Sequence, residues 1–272
     1  MRRRDNRSIA SYVPFLLFII CLGVVAVGSG YLLGRFFMSS LSALREQGLR
    51  PRPTAQDVSQ RPAAKMTINA PGMSVFRVQA GLYNVKENAD RQAAALKKAG
   101  IPAEIVGTTP PYRVLVGLLA TQDSAGRVAA SVKAQRFDVI VGRHEIKPRS
   151  FAVSGDSGYP DLVKNAVQAS YEALDKCLKA IDSYILGRKV DLQEVASVTS
   201  SFTSTRQKLM DSKAPAGAEK VHREVGLLLD AVGGALSSLQ AAGSSSQPPA
   251  SVLGDVCRAV IQYDTSISAL SQ

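Results

Sequence analysis

The chain has 272 residues, of which 46% are hydrophobic, 20% are charged and 6% are aromatic. This composition excludes a disordered or collagen-like polymer and leaves room for about two domains. The formal net charge of +11 predicts attraction to an anionic partner, and nucleic acid, acidic lipid and an anionic cell wall all fit that charge.

Residues 12–34 are predicted to form a single transmembrane helix. The run from Tyr12 to Leu33 carries no charged residue, and it is long enough to cross a hydrocarbon core of about 30 Å. Four arginines in the stub at 1–11 favour a cytoplasmic N-terminus by the positive-inside rule. A cleaved signal peptide is the alternative, although the apolar run exceeds the usual length and no clear A-x-A site follows it.

A polar linker at 35–72 leads to an internal repeat within residues 73–150. The linker is rich in proline and arginine and shows no sustained apolar period. The segment FRVQAGLYNVKENADRQAAALKKAGIPAEI, from Phe76, aligns without gaps on YRVLVGLLATQDSAGRVAASVKAQRFDVIV, from Tyr112. Each copy reads as strand, turn, alanine-rich helix and short strand. Two copies predict the β-α-β-β-α-β order of a ferredoxin-like (RNP-like) domain, so the fold class is α+β.

The repeat also predicts a four-stranded sheet with two unlike faces. Because side chains alternate across a strand, Phe76 points one way and its neighbour Arg77 the other. The two helices can cover only one face of such a sheet. The second face is therefore predicted to be open, and it carries Arg77, Gln79, Arg113 and Leu115.

After a Gly/Ser-rich linker at 151–159, residues 160–272 are predicted to form an antiparallel four-helix bundle. Apolar residues recur at helical spacing in four runs, and Asp191 with Glu194 makes a capping box at the start of the second. The three cysteines of the chain are too few for a disulfide scaffold and lack the spacing of a zinc site. Cys177 and Cys257 lie on or beside the apolar stripes, so they are expected either to form a disulfide or to pack as buried thiols.

The region from about Met73 to Lys147 resembles the SPOR domain, the sporulation-related repeat that binds peptidoglycan. The resemblance rests on FRVQAGLY, KENADRQAAALKKAGIPAEIV and YRVLVGLL, in which each half opens with an aromatic residue, a short strand and a glycine. The sequence departs from the family at Leu82, where a serine is common, and it has no tryptophan. The resemblance implies binding of glycan strands from which the stem peptides have been removed, with Gln79 at the glycan-facing glutamine.

The resemblance and the chemistry of the predicted open face together give the candidate binding residues. Arginine and glutamine side chains can donate hydrogen bonds to sugar hydroxyls, N-acetyl carbonyls and carboxylates, and such binding needs no cofactor. Without the resemblance, Arg77 and Arg113 would be interpreted as ordinary solvent-exposed residues of a strand. The full candidate set is Arg77, Gln79, Leu82, Arg113 and Leu115.

Other functional classes fit the residues less well. An RNA-binding sheet needs aromatic residues on its open face, whereas Phe76 and Tyr112 fall on the covered one, so no nucleic-acid partner is expected. The string GDSG at 155–158 matches a serine-protease motif, but neither histidine of the chain sits in a triad frame. A glycan hydrolase needs two carboxylates about 5–9.5 Å apart, and the sheet offers Glu104 without an evident partner.

The order of the parts resembles the stage II sporulation protein B type of endospore-forming bacteria. Because the sequence shows no catalytic constellation, the protein is predicted to be non-enzymatic. It is predicted to cross the membrane once, with its C-terminal domains outside the cytoplasm and concentrated at the division or sporulation septum. The bundle is expected to bind a septal or sporulation protein. The alternative is a scaffold or regulator of wall hydrolases or the division machinery that acts through the bundle.

Overall fold

The structure is a computed structural model, and it describes residues 64–156, 158–243 and 250–272. The predicted transmembrane helix at 12–34 and its N-terminal stub lie outside the described residues. The described chain contains six strands and six helices in this order: β1 (Ala64–Ala70), β2 (Met73–Tyr83), α1 (Lys86–Lys98), β3 (Glu104–Val106), β4 (Tyr112–Leu119), α2 (Gln122–Ala134), β5 (Ile140–Ile146), β6 (Arg149–Gly155), α3 (Tyr159–Ile185), α4 (Leu192–Met210), α5 (Glu219–Ala242) and α6 (Ala250–Leu270).

The predicted β-α-β-β-α-β domain is confirmed by the segment from β2 to β5. Its four strands form an antiparallel sheet in the order β3-β4-β2-β5, and α1 and α2 pack on one face through small apolar residues such as Ala89, Ala93 and Ala129. Thr121 caps the N-terminus of α2, where its hydroxyl oxygen accepts a hydrogen bond from the Ser124 backbone N–H at 3.3 Å. Both helices thus pack on the same face of the sheet, as the repeat predicts.

A second, two-stranded sheet joins this domain to the helices. Strands β1 and β6 pair antiparallel, from Ala64 opposite Gly155 to Ala70 opposite Arg149. The predicted linkers at 35–72 and 151–159 include most of both strands, so the linker prediction is wrong for these residues. Both strands bury alternate apolar side chains, which pack against α3. The buried apolar side chains of this ribbon are those of Ile68, Ala70, Phe151 and Val153.

The four predicted C-terminal helices are present and pack on one another. Asp191 caps α4, where its carboxylate accepts hydrogen bonds at 3.0 Å from the backbone N–H groups of Gln193 and Glu194. Among the described helices, α5 is long and apolar enough to cross a membrane, with a mean hydropathy of 1.4 over its most apolar window. Burial in the helical core accounts for that apolar character, because Leu228, Leu229 and Leu236 of α5 are almost fully inaccessible.

Helix α6 is buried on more than one side. Its inaccessible residues include small ones, Gly254 and Ala259, as well as the apolar stripe that the sequence shows. The helix packs against α5 on one side and against β3 and β4 on the other. A helix that is apolar around most of its circumference is one that is covered on most sides. Helix α6 therefore lies between the helical region and the sheet.

The two described cysteines are free, buried thiols. Cys177 of α3 and Cys257 of α6 are both fully inaccessible to solvent. Burial raises the pKa of Cys177 to about 12, and burial is also the main reason why the pKa of Cys257 is raised. Of the two outcomes that the sequence allowed, the structure shows packing and not a disulfide.

Candidate functional site

The five candidate binding residues lie on one face of the sheet. Arg77 and Gln79 are two residues apart on β2 and so point the same way. Gln79 pairs with Leu115 across the strands, and Leu82 pairs with Arg113. Because directly opposed side chains share a face, the register brings all five together. Two irregularities leave Val116 of β4 and Ala80 of β2 unpaired, and the one at Ala80 puts Leu82 on the same face as Gln79.

These residues differ widely in exposure, and the prediction of an open face is wrong. Leu115 is only 5% exposed and Gln79 only 7% exposed, whereas Leu82 is 52% exposed. Arg113 is exposed and Arg77 is intermediate. One part of the face is therefore covered and another part is accessible.

The cover over this face is α6. A cleft of about 80 Å³ separates the helix from the sheet, with Val260, Ile261 and Asp264 of α6 along one wall. The opposite wall is formed by residues of the sheet, among them Arg77, Arg113, Leu115, Leu118 and His144. Three of the five candidate residues line this cleft: Arg77, Arg113 and Leu115. Leu115 is buried, whereas Arg77 is intermediate and Arg113 is exposed, so the two arginines lie where the covered part of the face meets the accessible part.

Two hydrogen-bonded contacts and one longer polar approach connect α6 to three different segments: β3, the link between β1 and β2, and β5. An Arg258 Nη2 atom lies 2.7 Å from an Oε1 atom of Glu104, at the start of β3. The Tyr263 hydroxyl donates a hydrogen bond of 2.7 Å to the backbone carbonyl of Pro71, between β1 and β2. An Asp264 carboxylate oxygen lies 3.9 Å from Nε2 of His144 on β5. Glu104, the carboxylate considered for a hydrolase, is thus engaged by a guanidinium.

His144 is a neutral imidazole at pH 7. Burial lowers the pKa of His144 below its usual value of 6.5, and the nearby positive charges of Arg77 and Arg113 lower it further. Asp264 acts in the opposite direction but is outweighed. The contact between His144 and Asp264 is therefore not an ion pair at neutral pH.

Two polar atoms on this face have no hydrogen-bond partner among the described residues. They are Oε1 of Gln79 and Nε of Arg77, and both are buried. The Arg77 side chain lies over Gly142, its cross-strand partner, where a methyl group would be 3.6 Å from the guanidinium. An unpartnered buried polar atom costs about 1–3 kcal/mol, and a ligand is one reason to retain it. The face offers a donor and an acceptor suited to a hydroxylated, amide-bearing ligand.

Sequence reasoning missed the residues of α6 that contact the sheet. Arg258, Tyr263 and Asp264 all make contacts with segments more than 100 positions away along the chain. The signal that could have found them is the composition of the helix, in which Gly254 and Ala259 widen the apolar surface beyond a single stripe. Among the described residues, no group of three or more His, Cys, Asp or Glu side chains is arranged to hold a metal ion.

The sheet, its two helices and its polar face define a class: an α+β binding domain built from two β-α-β repeats. The SPOR domain family model matches residues 72–141, and the chain carries a SPOR domain there. Among solved structures, the solution structure of the peptidoglycan-binding domain of the B. subtilis cell wall lytic enzyme CwlC is 31% identical. That match covers 26% of this chain and 90% of the CwlC domain, with a TM-score of 0.25. Comparison with curated proteins finds no match.

Proposed function

We propose that this protein binds peptidoglycan through the SPOR sheet face and acts without catalysis. The observation that carries the proposal is the SPOR match over residues 72–141, within which all the candidate residues share one face. The net charge of +11 fits an anionic wall polymer. The ligand proposed is the glycan strand stripped of stem peptides, because the resemblance of the sequence to the SPOR family implies that specificity.

A sedimentation assay with isolated sacculi tests this proposal. The full-length protein is mixed with intact sacculi and with sacculi treated with an amidase, and the bound fraction is measured. Binding is expected to be stronger to the amidase-treated material. Equal binding to the two preparations would contradict the proposed ligand, and absence of binding to both would contradict the function.

A charge reversal on each face of the sheet tests the site. Arg113→Glu places a negative charge on the proposed binding face, where Arg113 lies opposite Leu82. Arg143→Glu makes the same change on β5 at an exposed position opposite Phe76, on the face that carries the helices. Binding is expected to fall for Arg113→Glu and to stay close to wild type for Arg143→Glu. An equal loss in both variants would indicate a nonspecific effect of charge.

We further propose that the chain is anchored by its N-terminal span, exposes the SPOR domain outside the cytoplasm and gathers at the septum, where the helical region binds a division or sporulation protein. The uncharged run from Tyr12 to Leu33 and the N-terminal arginines support this topology. A fluorescent fusion of the full chain should mark septa during growth or sporulation, and Arg113→Glu should spread the signal over the membrane. Protection of the SPOR domain from protease added to intact protoplasts would contradict the topology.

A further inference from the structure

Helix α6 covers the part of the sheet face that holds Leu115, one of the candidate binding residues. Leu115 is almost inaccessible, and the cleft in front of it is closed on its far side by Val260 and Ile261. A glycan strand is far larger than a cleft of about 80 Å³. The strand can therefore reach the accessible rim at Leu82 and Arg113 in this conformation, but it cannot reach Leu115.

The contact between α6 and the sheet is less complete than a permanent core contact. Buried polar atoms in a native core are normally paired, and close packing leaves few voids. Here Nε of Arg77, a residue of the cleft, lacks a partner among the described residues, and a cavity remains between helix and sheet. Oε1 of Gln79, on the same face, also lacks a partner among them. The charged link, Arg258 to Glu104, is half exposed at Arg258, where solvent weakens it.

The connections between the SPOR domain and the rest of the described chain are short and paired. Strand β1 leads into β2 through Pro71 and Gly72, and β5 leads into β6 through Lys147 and Pro148. These two connections lie side by side, because a side chain on Gly72 would come within 2.7 Å of the Pro148 nitrogen. The ribbon of β1 and β6 packs on α3, so the two connections mark the line about which the sheet parts from α6. Smaller contacts of α2 and β4 with α3, such as the hydrogen bond from the Ala120 N–H to Asp182 at 3.3 Å, must also break in that motion.

We propose that α6 is an autoinhibitory cover, and that the SPOR sheet must separate from α6 before a glycan strand occupies the whole binding face. This inference rests on the proposed peptidoglycan binding and adds its regulation. The closed chain has low affinity for glycan, and the glycan itself or a partner of the helical region stabilises the open form. Differential affinity for the two forms is what would drive the change.

A disulfide between the cover and the domain tests the proposal. A side chain on Gly254 would place its Cβ 3.3 Å from Cβ of Pro102, close to the separation of about 3.5–4.5 Å found in disulfides. The full-length variant Pro102→Cys/Gly254→Cys, once oxidised, should bind amidase-treated sacculi about tenfold more weakly than after reduction, a difference of about 1.4 kcal/mol. The two single variants and the wild type should not respond to reductant. Equal binding by the oxidised and reduced double variant would overturn the proposal.

A variant that weakens the contact between α6 and the sheet should bind amidase-treated sacculi more strongly than the wild type. Arg258→Glu replaces the attraction to Glu104 by repulsion and should increase binding several-fold. Arg206→Glu is the matched control, because it breaks an exposed ion pair with Asp230 between α4 and α5 and changes the net charge equally. Binding by Arg258→Glu that is no stronger than that of Arg206→Glu would count against the cover.

Cys257 provides a measurement that does not depend on glycan binding. Cys257 lies one helical turn from Gly254, which faces Pro102, and one turn from Ile261, which faces the sheet. Separation of α6 from the sheet therefore exposes the Cys257 thiol. Under native conditions, alkylation of Cys257 should be faster than alkylation of Cys177 and faster still in Arg258→Glu. If neither the wild type nor Arg258→Glu binds sacculi, the proposed function is wrong, and the cover is judged by alkylation alone. Equal rates at the two cysteines in both proteins would then overturn it.

Discussion

Replacing Tyr263 by phenylalanine tests the hydrogen bond that joins α6 to the start of the SPOR domain. The ring is fully buried and its hydroxyl lies 2.7 Å from the Pro71 carbonyl. Phenylalanine keeps the packing and removes the bond, which contributes about 0.5–1.5 kcal/mol. For a unit of about 200 residues, each kcal/mol lowers the melting temperature by about 2–4 °C. We expect the melting temperature of Tyr263→Phe to fall by about 1–6 °C.

The assay is differential scanning calorimetry of the full-length protein, with Tyr171→Phe as the control. Tyr171 lies against Tyr263, with ring centroids 6.3 Å apart, and its hydroxyl makes no hydrogen bond among the described residues. Removing that hydroxyl should leave the melting temperature nearly unchanged. A fall for Tyr263→Phe no larger than the fall for Tyr171→Phe would refute the reasoning.

The remaining predictions concern the sheet face and the two buried thiols. Stability should fall as the pH drops below about 6.5. The reason is that the pKa of His144 is lowered by folding, so the unfolded chain binds a proton more readily than the folded chain. In melting curves recorded from pH 5 to 7, His144→Gln should flatten this dependence. Gln79→Met removes the unpartnered amide oxygen, so denaturant titration should show an unfolding free energy equal to or higher than that of the wild type. Binding of this variant to sacculi should fall. A marked loss of stability would mean that the amide oxygen has a hydrogen-bond partner in the folded protein. Mass spectrometry of the denatured, unreduced chain should find Cys177 and Cys257 both open to alkylation, whereas a product with both blocked would show a disulfide.

Local periodicity explains why the SPOR part of the fold could be predicted. The alternation along β2 and β4 depends on neighbouring residues alone, and it placed Arg77, Gln79 and Arg113 on one face before any contact was known. The assignment of Phe76 to the other face agrees with its pairing opposite Arg143, away from the candidate residues. These features follow from spacing along the chain, so the sequence is sufficient for them.

Long-range contacts explain what could not be predicted. The pair of Glu104 and Arg258 joins positions separated by 154 residues, and nothing local at either residue indicates the other. The spacing of Leu253, Val256 and Val260 predicts a single apolar stripe on the last helix. Its second buried side uses Gly254 and Ala259, whose small side chains contribute little to a hydrophobic pattern. Strand β1 was missed because its short apolar alternation directly follows a stretch rich in proline and arginine.

The ribbon of β1 and β6 makes the SPOR domain a cassette within the described chain. Both ends of the domain leave it next to each other, since Ala70 lies opposite Arg149 in the ribbon. A unit whose ends are adjacent can be inserted into, or removed from, a host with little disturbance of the host. Recombination at these two positions would exchange one sheet face for another, and it would leave the ribbon and most of the helical core intact. Any incoming cassette would, however, have to present a sheet that fits α6.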